Sequence, residues 1–109
     1  MLPKLLAEQP RDAVTCIVST WVLAYLSGEA RAMLAHAAAS ATQPIAWITL
    51  EYAGVPPWLG SPPTPPRDEP GASNLLSLTR WHDGTAQTRT LAWAHSHGLW
   101  IDWLDGAST

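Results

Sequence analysis

The chain has 109 residues, of which 47% are hydrophobic and 14% charged, with a net charge of −3. That length fits one small domain or part of a larger one, with enough apolar material for a core and too little charge for a disordered tail. The six Lys and Arg residues are scattered and form no basic run, which argues against sequence-independent nucleic-acid binding, because neutralising phosphates needs clustered cations.

From the N-terminus, Met1–Glu8 lacks the long apolar core of a signal peptide. Leu2, Leu5 and Leu6 share a face at helical spacing, so a short helix is expected over residues 2–9, ended by Pro10. Val14–Ser19 is a nearly continuous apolar, β-branched run, the pattern of a strand buried on both faces in a parallel sheet. The wider apolar stretch, Ala13–Leu26, is too short for a membrane span and is interrupted by Thr15, Ser19 and Thr20. Cys16 is the sole cysteine. No internal disulfide can form, so a cytoplasmic location is expected, with Cys16 an inert buried thiol.

Ser27 is a good helix N-cap, and Glu29 complements the dipole of the first turn. Ala30, Met33, Leu34, Ala37, Ala38 and Ala41 then form one apolar stripe, and Gln43-Pro44 ends the helix. Ile45–Glu51 is the next apolar run. A strand, a helix and a second strand predict a βαβ unit with parallel strands and a right-handed crossover.

Residues 54–73 change character. Pro56, Pro57, Pro62, Pro63, Pro65, Pro66 and Pro70 remove backbone donors and fix φ, which predicts a proline-rich surface loop. Leu75–Trp81 and Thr88–Ala94 read as strands joined by the hairpin dipeptide Asp83-Gly84. Ser96-His97-Gly98 makes a second turn into Leu99–Leu104. The expectation is a Trp-rich antiparallel β-meander following the βαβ unit, within a single domain over 1–109.

Four blocks resemble a known family. Ser19-Thr20-Trp21-Val22-Leu23-Ala24-Tyr25-Leu26-Ser27 is similar to its strand-end motif, and Pro44–Glu51 to its next strand. Leu78-Thr79-Arg80-Trp81 resembles a Leu-Thr-Leu-Trp strand, and Ala94–Leu104 a closing Ala-His-Pro-His-Gly-x-Trp-x-x-Trp-Leu segment. These are blocks of the domain of unknown function 2332 family, which is bacterial and has no assigned activity. The resemblance spans nearly all of this chain but roughly the last third of a typical member, which implies a C-terminal part completed by an N-terminal portion. Val18 stands where the family often has His, and Ser96 where it usually has Pro, so no role for those residues carries over. The element order also resembles the end of a class I methyltransferase-like Rossmann fold, which defines the fold class expected here: α/β, a partial Rossmann-like sheet. By that analogy alone, S-adenosylmethionine or a nucleotide is a possible ligand. No G-x-G-x-x-G turn is present to hold one.

In open α/β sheets, ligands sit at the C-terminal ends of parallel strands. Ser19, Trp21, Tyr25 and Glu51 fall there and are the ligand-pocket candidates, with the proline loop as cover. The competing reading makes Trp21 a packing residue, Tyr25 a helix-entry cap and Glu51 a solvated strand-end carboxylate. Ser19 lacks a G-x-S-x-G elbow, so no catalytic residue is assigned and enzymatic activity is left open. His95 and His97, an H-x-H pair, are weaker candidates. Two imidazoles fall short of a usual zinc site, so no metal is expected, and the pair reads as shaping the turn at Gly98 with ring nitrogens bonded to backbone carbonyls. Trp47, Trp81 and Trp93 read as packing residues, while Trp58 is expected to be exposed in the loop or folded over the sheet rim. The function expected is one wall of a small-molecule pocket. The alternatives are a protein-interaction module, with self-association through an exposed sheet edge, and a fragment without independent function. Neither nucleic acid nor membrane is an expected partner.

Overall fold

A computed structural model describes residues 2–52, 55–58 and 74–104. Of the proline-rich loop expected over residues 54–73, only residues 55–58 are among them. The described residues form two α-helices, α1 (Leu2–Ala7) and α2 (Gly28–Ser40), a 3-10 turn (Leu23–Tyr25) and five strands. The strands are β1 (Thr15–Thr20), β2 (Ile45–Tyr52), β3 (Asn74–His82), β4 (Thr85–Ala94) and β5 (Ile101–Trp103). They lie in the order β1-β2-β3-β4-β5 in one open sheet.

The apolar runs flanking α2 lie side by side and parallel, in register from Thr15↔Ile45 to Thr20↔Leu50. The helix between them starts where its cap predicts: Ser27 Oγ accepts from the Ala30 N–H at 3.1 Å. The remaining pairings, β2–β3, β3–β4 and β4–β5, are antiparallel. Asp83 and Gly84 take φ of 52° and 79°, the doubly positive pair of a type I′ two-residue turn, which matches the right-handed twist of its strands. The fold class is therefore mixed α/β with a mostly antiparallel sheet.

Register assigns the two faces. Ile17, Trp47, Thr79 and Thr88 are consecutive partners across β1 to β4, so they share a face, as do Thr15, Ile45, Trp81 and Ala86. The helices pack on this face: Leu6, Leu23, Ala37 and Ala38 form one buried cluster with Ile45, Trp47 and Trp81. Gln43 fastens α1 to it, donating from Nε2 to the Leu6 carbonyl at 2.6 Å.

Several expectations change here. β1 is not buried on both faces but is the sheet's edge, with every second residue exposed. The physical reason is that parallel strands are doubly buried only when helices cover both faces, and the core here unites helix and sheet residues on one face. Cys16 is therefore an exposed thiol, not a buried one. Met33, on the expected stripe of α2, is 66% exposed. Arg31 turns inward nearby, toward the carbonyls of Leu23 and Ala24.

A bulge interrupts β3–β4. Ser77 pairs with Thr90, but Leu76 pairs with Ala92, so Leu91 is the extra residue. Its carbonyl accepts from the Leu104 N–H at 2.9 Å. A one-residue slip reverses which side chains face the core. The bulge thus sets Trp93, rather than Ala92, opposite Leu75.

Candidate functional site

The C-terminal ends of β1 and β2 form a rim that carries Trp21 and Glu51. β1 is followed by Trp21, whose N–H donates to the Leu50 carbonyl at 3.0 Å. Trp21 then adopts φ of 58°. Left-handed backbone is costly for a bulky L-residue, so an outlier of this kind persists only where its surroundings over-determine it, as they often do at functional sites. The indole is held edge-on against Tyr52, with ring centroids 4.5 Å apart.

The reversal redirects the chain into the 3-10 turn, which is braced at both ends. The N–H groups of Val22 and Leu23 both donate to Glu51 Oε2 at 3.0 Å. From α2, Arg31 Nε donates to the Leu23 carbonyl at 2.8 Å, and Nη2 to the Ala24 carbonyl at 3.4 Å. An acidic group at the N-terminal amides and a cation at the C-terminal carbonyls match the partial charges of a short helical turn.

Glu51 is only 1% exposed, not a solvated strand-end carboxylate. Its second oxygen, Oε1, is buried with no hydrogen-bond partner among the described residues. Trp21 Nε1 is buried in the same condition. Buried polar atoms are nearly always paired, so each such atom calls for an explanation.

The other candidates separate. Ser19 lies on the helix-covered face, but its hydroxyl accepts from Trp47 Nε1 at 3.0 Å; it orients an indole. Tyr25 is 83% exposed, so it neither caps the helix entry nor joins the wall in this arrangement. His95 and His97 follow β4 at the same end of the sheet, about two strand spacings from Glu51. His95 Nδ1 accepts from the His97 N–H at 3.0 Å, so the ring nitrogen meets an amide rather than the carbonyl expected. The pair shapes the turn at Gly98, whose φ is 75°. Among the described residues, no group of three or more His, Cys, Asp or Glu could hold a metal ion.

Trp58 is partly buried, not exposed. It packs against Trp47 and Trp81, with ring centroids 4.6 and 5.2 Å away, so residues 55–58 return over the helix-covered face. Trp47, Trp81 and Trp93 are all buried.

The residue reading missed a polar row on that same face. Thr49 and Ser77 are direct cross-strand partners, Glu51 is opposite Leu75, and Leu75 is opposite Trp93. Thr49, Ser77, Glu51 and Trp93 are each 1% exposed or less. Thr49 Oγ1, Ser77 Oγ and Trp93 Nε1 join Glu51 Oε1 in having no hydrogen-bond partner among the described residues. The one available signal was inverted alternation: in Ile48-Thr49-Leu50-Glu51 and Leu76-Ser77-Leu78-Thr79, the polar residues are the buried ones. A groove of about 640 Å3 between α1 and α2, lined by Leu6, Met33, His36 and Ala37 among others, lies away from this row.

The fold and rim together define a small mixed α/β protein built on an open five-stranded sheet, with buried polar residues from β2, β3 and β4 on its helix-covered face. A bacterial family described as "Uncharacterized protein conserved in bacteria (DUF2332)" matches residues 1–103. The chain belongs to this family. No curated protein and no solved structure matches it significantly. Among the described residues, no helix is long and apolar enough to cross a membrane.

Proposed function

We propose that the C-terminal rim of the β1–β2 pair is one wall of a small-molecule binding site, with Glu51 and Trp21 as its polar and aromatic contacts. The observation that carries this reading is Glu51 Oε1: a carboxyl oxygen fully buried near the C-terminal end of a parallel pair, the end where open α/β sheets bind ligands, with no partner among the described residues. The unusual backbone of Trp21 beside it supports the same reading. The parallel pair with its crossover helix favours a Rossmann-like mode of use, in which a nucleotide or S-adenosylmethionine approaches from the strand ends. Ser19 supports the wall by orienting Trp47. Tyr25 would join only if a ligand drew it in. His95 and His97 stand at the far side of the rim. The role is one of binding, with no reaction assigned.

Thermal shift with S-adenosylmethionine and ATP at millimolar concentration tests this. A ligand that uses Oε1 raises the melting temperature of the native chain but not of Glu51→Gln, because the amide that replaces Oε1 donates where an acceptor is needed. Melting curves unmoved by both compounds would remove the support for a nucleotide-type pocket.

A second reading, association through the sheet edge, is favoured by β1 itself. Among the described residues no strand lies beside its outer edge, and Val18 is 64% exposed. An uncharged, regular edge is a template for another strand, from a second copy or from an N-terminal portion of the family's longer members.

A further inference from the structure

The four buried polar atoms of the row narrow the chemistry of the ligand, granted that the rim is a binding site. Glu51 Oε1 can only accept while ionised, or donate a single proton otherwise. Trp93 Nε1 can only donate, and the hydroxyls of Thr49 and Ser77 can do both. An ammonium group would suit the carboxyl oxygen but leave the indole N–H without an acceptor. A phosphate or carboxylate would suit the indole but repel an ionised Glu51. The neighbouring guanidinium of Arg31 already donates to two backbone carbonyls. A hydroxyl group both donates and accepts, and a polyol carries several such groups, as the two neighbouring rungs Thr49–Ser77 and Glu51–Leu75–Trp93 require.

We propose that the site takes a neutral polyhydroxylated molecule, a free sugar or the ribose of a nucleoside, whose adjacent hydroxyls meet Glu51 Oε1, Thr49 Oγ1, Ser77 Oγ and Trp93 Nε1.

The variants Thr49→Val and Ser77→Ala delete one hydroxyl each with little change of volume. In the protein without ligand, each is expected to raise the melting temperature, by about 4 °C or more, because a buried hydroxyl without a partner is costly. Binding is read by the indole N–H resonances of tryptophan with D-ribose, adenosine and 2′,3′-dideoxyadenosine at millimolar concentration. Adenosine perturbs the Trp93 signal and dideoxyadenosine does not, and both variants weaken adenosine by about tenfold or more, the equivalent of one buried hydrogen bond. Binding of D-ribose as well assigns the site to sugars; its failure beside adenosine assigns it to nucleosides. A lowered melting temperature in both variants means the hydroxyls are held by buried water, and overturns the proposal. So does equal binding of dideoxyadenosine, or no binding of either ribose or adenosine. If S-adenosylmethionine or ATP still binds in a manner sensitive to Glu51→Gln but indifferent to Thr49→Val and Ser77→Ala, the rim reading stands and the polyol assignment falls.

Discussion

Glu51 does two jobs with one carboxyl group, and the two oxygens can be told apart by mutation. Oε2 satisfies the amides of Val22 and Leu23, which the 3-10 turn cannot pair internally. Glu51→Ala leaves the buried Leu23 amide and the part-buried Val22 amide without their acceptor, at a cost of about 1–3 kcal/mol in urea denaturation. Glu51→Gln keeps an acceptor for them and costs less than half of that. Equal losses in the two variants would mean that the brace contributes little and that burial of the side chain dominates. From the sequence, the position of Glu51 at a strand end was readable, but its burial was not. Its partners lie 28 and 29 residues away, and no local signal announces an amide arriving from another element. Arg31 was missed for the same reason: on the helical wheel it is one more polar residue, and only the carbonyls of Leu23 and Ala24 explain its inward turn.

The elements differ in how locally they are specified. The β3–β4 hairpin is written into two residues, because Asp-Gly accepts positive φ at both turn positions. The N-terminus of α2 is likewise written into Ser27. The bulge at Leu91 is not: Thr90-Leu91-Ala92-Trp93 reads as plain alternation, which would place Trp93 outward if Thr90 faces in. The extra residue corrects the phase. Deleting Leu91 is expected to restore regular pairing and turn Trp93 toward the opposite face, losing the burial of a large indole at about 3–5 kcal/mol. A red-shifted tryptophan emission with a lowered urea midpoint would register the flip. Unchanged emission would show that β4 shifts along β3 instead and keeps Trp93 inside.

At the scale of the whole molecule, the described residues cover the two sheet faces unequally. α1, α2 and Trp58 pack on one face, while Val18, Tyr52, Ile101 and Trp103 are 64%, 42%, 44% and 60% exposed. The sheet's two edges are unlike. β5 is three residues long and includes Asp102, whereas β1 is six residues without a charge. Short, charged edges resist strand addition and uncharged regular ones invite it. The chain is therefore expected to self-associate with rising concentration in sedimentation velocity, and Val18→Lys to shift it toward monomer while changing stability by less than about 0.5 kcal/mol. Association unaffected by Val18→Lys would exclude the β1 edge as the contact.

Periodicity, capping residues and turn dipeptides determined the parallel β1–β2 pair, the start of α2 and the hairpin at Asp83-Gly84, because each rests on preferences that a few neighbouring residues express by themselves. The tertiary structure alone decided that β1 is an edge, that Cys16 is exposed, that Trp58 is packed, and that Thr49, Glu51, Ser77 and Trp93 share a buried face. Those outcomes depend on which surfaces of distant elements come to rest against each other, and a strand's alternation says which residues lie together on a face but not which face the helices will cover.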